Sequence, residues 1–241
     1  MKVHITHLYP DLMDLYGSRA NVLVLKRYLE ELGCTVEVEY AVSDQRPCSA
    51  ETDFVYMGAG TERSQRAAME GLSCYSQELV SAAEDGTTMF FAGTAMELLG
   101  QSIREPDGRE YPGVGLAGFS TVHGRRRTVG DVYGHTDLYP EPVVGYMNKC
   151  GTIRGVETPL LTQLQLGCGN GGEGSPEGFH WNNVFASELT GPLLVKNPRL
   201  LEAVAAAIFA RRGAALPEKR PVDLWREAAY TVTEEALRGR L

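Results

Sequence analysis

The apolar positions of the first hundred residues follow two rhythms. Residues 3–8 and 35–40 alternate, the second run with Val36, Val38 and Tyr40 set against Glu37 and Glu39, and both predict strands. Between them Val22, Leu25, Tyr28, Leu29 and Leu32 fall on one helical face over residues 21–32, and Gly33 is a stop signal. Residues 53–57 predict a strand running into Gly58-Ala59-Gly60, residues 64–84 a helix, residues 88–92 a buried strand, and residues 95–99 a short helix after Gly93. Strands alternating with helices predict an α/β fold built on a mostly parallel sheet with helices on both faces. Ligands of such sheets sit at the carboxyl ends of strands, where the turns after Met57 and Ala92 lie.

Beyond residue 113 the pattern becomes shorter and strand-rich. Residues 167–178 form a glycine-rich segment read as a mobile loop, and residues 198–212 form the last strong core helix. The expected organisation is one domain over residues 1–212 and an amphipathic tail over 213–241, with Leu224, Trp225, Ala228 and Leu237 as its apolar positions.

Composition narrows the function. The 241 residues are 43% hydrophobic and 22% charged, which excludes a mostly disordered chain. The net charge of −8 argues against a nucleic-acid coat, and Arg125-Arg126-Arg127 is too short a basic run to reverse that. The longest apolar run, residues 203–210, falls well short of the about 20 residues that cross a bilayer, so no membrane insertion is expected. The N-terminal segment does not read as a signal peptide. Cysteines at 34, 48, 74, 150 and 168 are odd in number and contain no CxxC, which fits free thiols in a reducing cytoplasm. No metal-ligand spacing is present among the histidines and cysteines, and neither a metal nor a cofactor is expected. The loop after Met57 lacks the full GxGxxG pattern of dinucleotide binding.

Six segments in order carry a resemblance. They are HLYPDLMDLYGSRANVLVLKRYLEELG from His7, MGAGTERSQ (57–65), FFAGTAMELLG (90–100), GRRRTVGDV (124–132), VVGYMNK (143–149) and ELTGPLLVKNP (188–198). Together they resemble the glutamine amidotransferase subunit of lipid II isoglutaminyl synthase, of the class I, cobyric acid synthase type, over about residues 3 to 212. The resemblance implies a class I glutamine amidotransferase-like (flavodoxin-like) fold. It implies hydrolysis of glutamine and transfer of the ammonia to a Mur-ligase-like synthetase partner that amidates D-glutamate in peptidoglycan lipid II. It places a thiolate nucleophile on a tight turn at a helix start, a histidine base, and backbone N–H donors for an oxyanion.

The departures from that pattern shape the reading. The elbow Cys-Gly-Gly-aromatic-Gln-Leu-Leu-Gly corresponds to residues 93–100, with Gly93 at the nucleophile position. Leu-His-Gly-Pro corresponds to residues 189–192, with Thr190 at the base position, and Phe-Glu-Asn-His becomes Tyr146-Met147-Asn148-Lys149. Glycine has no side chain to attack a carboxamide, and threonine is no general base near neutral pH. The expectation is a degenerate, non-hydrolysing partner or regulatory subunit. Two alternatives stay open. One is a relocated active site, using Thr94, Cys150 or Cys168 with His180 nearby. The other is a sensor holding glutamine or another small molecule in the vacated pocket. The resemblance also assigns Gly58, Gly60 and Thr94 to an oxyanion loop, and Arg127 to the substrate carboxylate. The plain readings are a tight turn at 58–60, a helix cap at Thr94, a solvated strand end at Arg127, a surface or loop residue at His180, and a helix-start turn at Gly17-Ser18-Arg19.

Overall fold

The computed structural model describes residues 1–42 and 51–241; Cys48 lies outside the described residues. The chain begins with β1 (Lys2–Leu8), α1 (Ala20–Glu31), β2 (Thr35–Ala41), β3 (Phe54–Met57), α2 (Glu62–Ser73), α3 (Ser76–Glu84) and β4 (Thr88–Ala92). A 3-10 turn, Gly93–Leu99, follows β4 directly. Then come β5 (Ser102–Arg104), β6 (Glu110–Pro112), β7 (Ser120–His135), β8 (Val143–Arg154), β9 (Gln163–Leu166), β10 (Phe179–Trp181), β11 (Val184–Ser187) and β12 (Leu189–Thr190). Three helices close the chain: α4 (Leu193–Lys196), α5 (Pro198–Arg211) and α6 (Leu224–Arg238).

The main sheet has the order β2-β1-β3-β4-β11-β10, parallel except at the β10–β11 hairpin. This is the flavodoxin-like order, with its switch point at β1/β3. Alternation along the central strands divides the core. Phe54, Tyr56, Phe90 and Ala92 face the layer of α1 and α5, while Val55, Met57, Met89 and Phe91 face α2, α3 and the elbow turn. Gly33 ends α1 with φ +84°, as its position predicts.

Three elements differ from the sequence pattern. The helix expected over 64–84 breaks into α2 and α3 at Tyr75, whose φ of −130° leaves helical geometry, and the Ser76 hydroxyl bonds the Leu72 carbonyl across the break at 3.2 Å. The strand-rich middle forms a second, largely antiparallel sheet, β12-β8-β7-β5-β6, whose β7 and β8 run for 16 and 12 residues. The glycine-rich segment is tied down: Gly169 accepts from Lys149 Nζ at 2.7 Å, and Asn170 exchanges two bonds with Gly178, each 2.9 Å.

In the tail, Asp223 caps α6 by accepting from the N–H groups of Trp225 and Arg226. The helix lies against the β7–β8 ribbon through Leu237 and through Tyr133 Oη, which donates to Glu234 at 2.8 Å. Leu224 and Trp225 face outward rather than packing. No helix among the described residues is long and apolar enough to cross a membrane.

Candidate functional site

The turn after β4 brings most of the predicted site residues together. Gly93 has φ +62°, so the chain leaves the sheet sharply at its carboxyl edge. A first side-chain carbon on Gly93 would stand 2.6 Å from Ala59 Cβ and 3.7 Å from Thr190 Cγ2. Positions 93 and 190, far apart in sequence, therefore face each other. Between them Ala59 fills the space into which a residue at 93 would project. A small pocket of about 140 Å3 opens beside this point, lined by Tyr16, Gly60, Glu62, Thr94, Arg127 and Thr190 among others.

The polar groups of the pocket are engaged with one another. Thr94 Oγ1 accepts from Gly60 N–H at 2.9 Å and donates to Gly60 O at 3.1 Å. Thr94 thus clamps the 58–60 loop and is not a helix cap; Ala92 holds the cap position without a side-chain bond. Ala59 N–H donates to Ser18 Oγ at 3.3 Å, and Ser18 in turn meets Tyr56 Oη at 2.6 Å. A Cβ on Gly58 would meet that same Ser18 hydroxyl, which explains the glycine there. Thr190 Oγ1 donates to the Tyr146 carbonyl at 3.1 Å.

Arg127 comes off a bulge. His123 pairs with Gly151 and Thr128 with Lys149, so four residues of β7 oppose one of β8. The Arg127 guanidinium turns back onto the pocket. It donates to Asn148 Oδ1 at 2.7 Å, to the Asn148 carbonyl at 3.0 Å, and to the Glu62 carboxylate. Its side chain stays 42% exposed, and it stands in the middle of β7 and not at a strand end. Burial disfavours the charged form of Glu62, but the bonds from Arg127 outweigh this and hold its carboxyl below the usual range.

The fallback residues lie differently. Burial, and then the neighbouring Glu62 carboxylate, push the Cys150 thiol up to about 12, so it carries no thiolate near neutral pH. Cys168 is half-buried in the glycine-rich segment, and Cys34, Cys74, Cys150 and Cys168 are all free thiols. His180 is in β10, on the edge of the main sheet, its ring 4.7 Å from that of Phe185; it is a strand residue and not a loop residue.

A buried charged layer beneath the elbow escaped the sequence reading. Glu97, on the elbow turn, accepts from Gln65 Nε2 at 2.6 Å and lies 2.8 Å from His123 Nε2. His123 Nδ1 lies 3.3 Å from Glu105, which pairs with Arg66 at 2.6 Å. Gln65 also donates to the Thr94 carbonyl at 2.8 Å, which links this layer to the pocket. Beside it Lys149 pairs with buried Glu188, and burial raises Glu177 to about 7. The signal available was Glu97 itself: a carboxylate within a buried apolar turn requires a cationic partner.

The parallel flavodoxin-like sheet, with a sharp turn at the end of β4 and a small-residue loop beside it, defines a glutamine amidotransferase-type α/β domain. The chain belongs to the CobB/CobQ-like glutamine amidotransferase domain family, whose sequence profile matches residues 4–198. It is similar to the GatD subunit of lipid II isoglutaminyl synthase (glutamine-hydrolyzing) from Streptococcus pneumoniae, with 31% identity over 83% of this chain and 77% of that protein. The Staphylococcus aureus GatD subunit is 29% identical over 87% of this chain and 85% of its own length. A crystal structure of a glutamine amidotransferase matches with a TM-score of 0.56 at 17% identity, covering 85% of this chain and 98% of that one.

Proposed function

We propose that this chain is a non-hydrolysing member of its family. In this reading it is a cytoplasmic subunit that binds and supports a Mur-ligase-like synthetase acting on lipid II, without releasing ammonia from glutamine itself. The observation that carries the reading is Gly93. The nucleophile position has no side chain, and Ala59 fills the space one would need.

Other features agree. The Thr190 hydroxyl donates to the Tyr146 carbonyl, and a hydroxyl is no general base near neutral pH. Gly60 N–H, the expected oxyanion donor, is already bonded to Thr94. Arg127, which would hold a substrate carboxylate, is paired with the chain's own Glu62. A relocated nucleophile gains nothing from this geometry, because the Thr94 hydroxyl is held on both sides and the Cys150 thiol stays protonated.

The test is glutamate release from glutamine by the purified chain, alone and co-expressed with the synthetase of the same organism. No glutamate is expected in either state, while the complex amidates with ammonium as its nitrogen source. Partner-dependent glutamate release would overturn the reading.

A further inference from the structure

Helix α6 turns its polar side to the domain and its apolar side to solvent. On the inner side Glu227 meets Arg199 at 3.2 Å, the Tyr230 hydroxyl donates to the Pro142 carbonyl at 2.8 Å, and Glu234 accepts from Tyr133. Leu237 alone of the helix is fully buried. On the opposite side Trp225, Ala229, Val232 and Ala236 recur at steps of four and three residues, which is one face of a helix. All four are exposed, Trp225 by 88% and Val232 by 67%. No charged side chain interrupts the stripe, and Val222 and Leu224 extend it at its start. Single exposed apolar residues are ordinary, whereas a continuous stripe directly opposite a helix's own docking side marks an interaction surface.

The stripe is self-complementary in one alignment. Two copies of α6 can be set antiparallel about a two-fold axis midway between Ala229 and Val232. Trp225 of one then faces Ala236 of the other, Ala229 faces Val232, and Val222 faces Gly239. Every large residue meets a small one, so the layers are of similar width and the two helices approach along their whole length. Parallel pairing instead sets Trp225 on Trp225 and Ala229 on Ala229. The indoles would hold the axes apart and leave voids at the alanine layers.

Charge favours the same alignment. Antiparallel helices place opposite ends of their macrodipoles side by side. Asp223 caps the first turn of α6 and Glu227 lies within it, while Arg238 lies in the last turn and Arg240 just beyond. Antiparallel pairing brings acidic end to basic end, and parallel pairing brings like to like. Arg226, the cation of the first turn, is folded away over the Tyr28 ring at 5.9 Å. Glu235, which flanks the stripe, falls beside Ala228 of the other copy and beside no acid.

The area is that of a reversible dimer. Covering the stripe in two copies removes about 1,000 Å2 from water, of which each indole supplies about 150–250 Å2. This is the lower end for a specific interface and corresponds to association at micromolar concentrations.

We propose that the outward face of α6 is a self-association surface on which a second copy of this chain docks antiparallel, with Trp225 of each copy over Ala236 of the other. The inference is independent of the function proposed for the elbow pocket.

Sedimentation velocity of the full chain under reducing conditions, from about 1 to 200 µM, is expected to show a monomer–dimer equilibrium with a micromolar Kd. The chain has two tryptophans, so Trp181→Phe leaves Trp225 as the single fluorescent reporter, and its emission should move to the blue as the dimer forms. Val232→Glu and Ala229→Lys each place a charge in the centre of the interface and should weaken association by at least about 100-fold. Both positions are exposed in the monomer, so the melting temperature of the dilute variants should stay close to the parent. Mixing the two variants should restore a heterodimer, because antiparallel pairing sets Lys opposite Glu in one layer and leaves the native pair in the other. A chain that stays monomeric at 200 µM overturns the proposal, even where Trp225 emission shifts on adding the synthetase or anionic vesicles. A dimer that survives Val232→Glu overturns it, and so does a mixture of the two variants that stays monomeric.

Discussion

Ala59 Cβ stands 2.6 Å from where a side chain on Gly93 would begin, a separation that two real carbon atoms do not share. The two positions are on loops following different strands, β3 and β4, and their side chains exclude each other. Gly93→Cys is therefore expected to destabilise the chain by about 1–3 kcal/mol through overpacking. Ala59→Gly in the same background should recover the overpacking part of that loss, while the left-handed backbone at 93 keeps its strain against any side chain. A double-mutant cycle by urea denaturation should give a coupling of at least about 1 kcal/mol. Additive effects would mean that the loop moves freely and that Ala59 is no obstacle. For the same reason, attempts to restore glutaminase chemistry need Ala59→Gly as well as Gly93→Cys and Thr190→His.

Thr94 holds both backbone groups of Gly60 with one hydroxyl. Thr94→Val keeps the shape and removes both bonds, leaving an N–H and a carbonyl without partners in a part-buried loop. The expected loss is about 1–3 kcal/mol, seen as a lower urea midpoint. Thr94→Ser keeps the hydroxyl and should lie close to the parent. If Val and Ser variants unfold alike, the clamp contributes nothing.

The sequence was legible where burial follows period. Strands β1, β3 and β4 and helices α1 and α5 announced themselves because both faces of a parallel sheet are covered and the helices present one apolar face. The long β7–β8 ribbon did not, since its outer face carries Arg125 and Arg126 to solvent and its bulge at 124–127 interrupts the alternation. At the site, positions 93, 127 and 190 could be placed together by resemblance alone. The significance of Ala59 could not, because one methyl matters only through a distance across two loops. Of the buried charged layer only Glu97, inside an apolar turn, left a signal; His123, Lys149 and Glu188 left none, for a different reason. Charged side chains read as exposed until a pairing that only the fold creates makes their burial tolerable.

That buried pairing has a pH signature. Burial alone would lower the pKa of His123, but the hydrogen bond and charge of Glu97, with Glu105 adding to them, outweigh it and raise it to about 9. The folded state therefore holds a proton that the unfolded chain releases near its ordinary value of 6.5. Between these values the folded state binds more protons, so stability must fall as pH rises. The contribution is complete below pH 6.5 and lost as pH passes through about 9. Two and a half pKa units correspond to on the order of 3 kcal/mol. Denaturant midpoints followed from mildly acidic to alkaline pH should decline for the parent. His123→Gln has no such proton to lose. It should start well below the parent, with buried Glu97 short of a cation while Glu105 keeps Arg66, and the gap should close as pH rises past 9. Curves that run parallel through this window would mean that His123 holds no extra proton in the folded state.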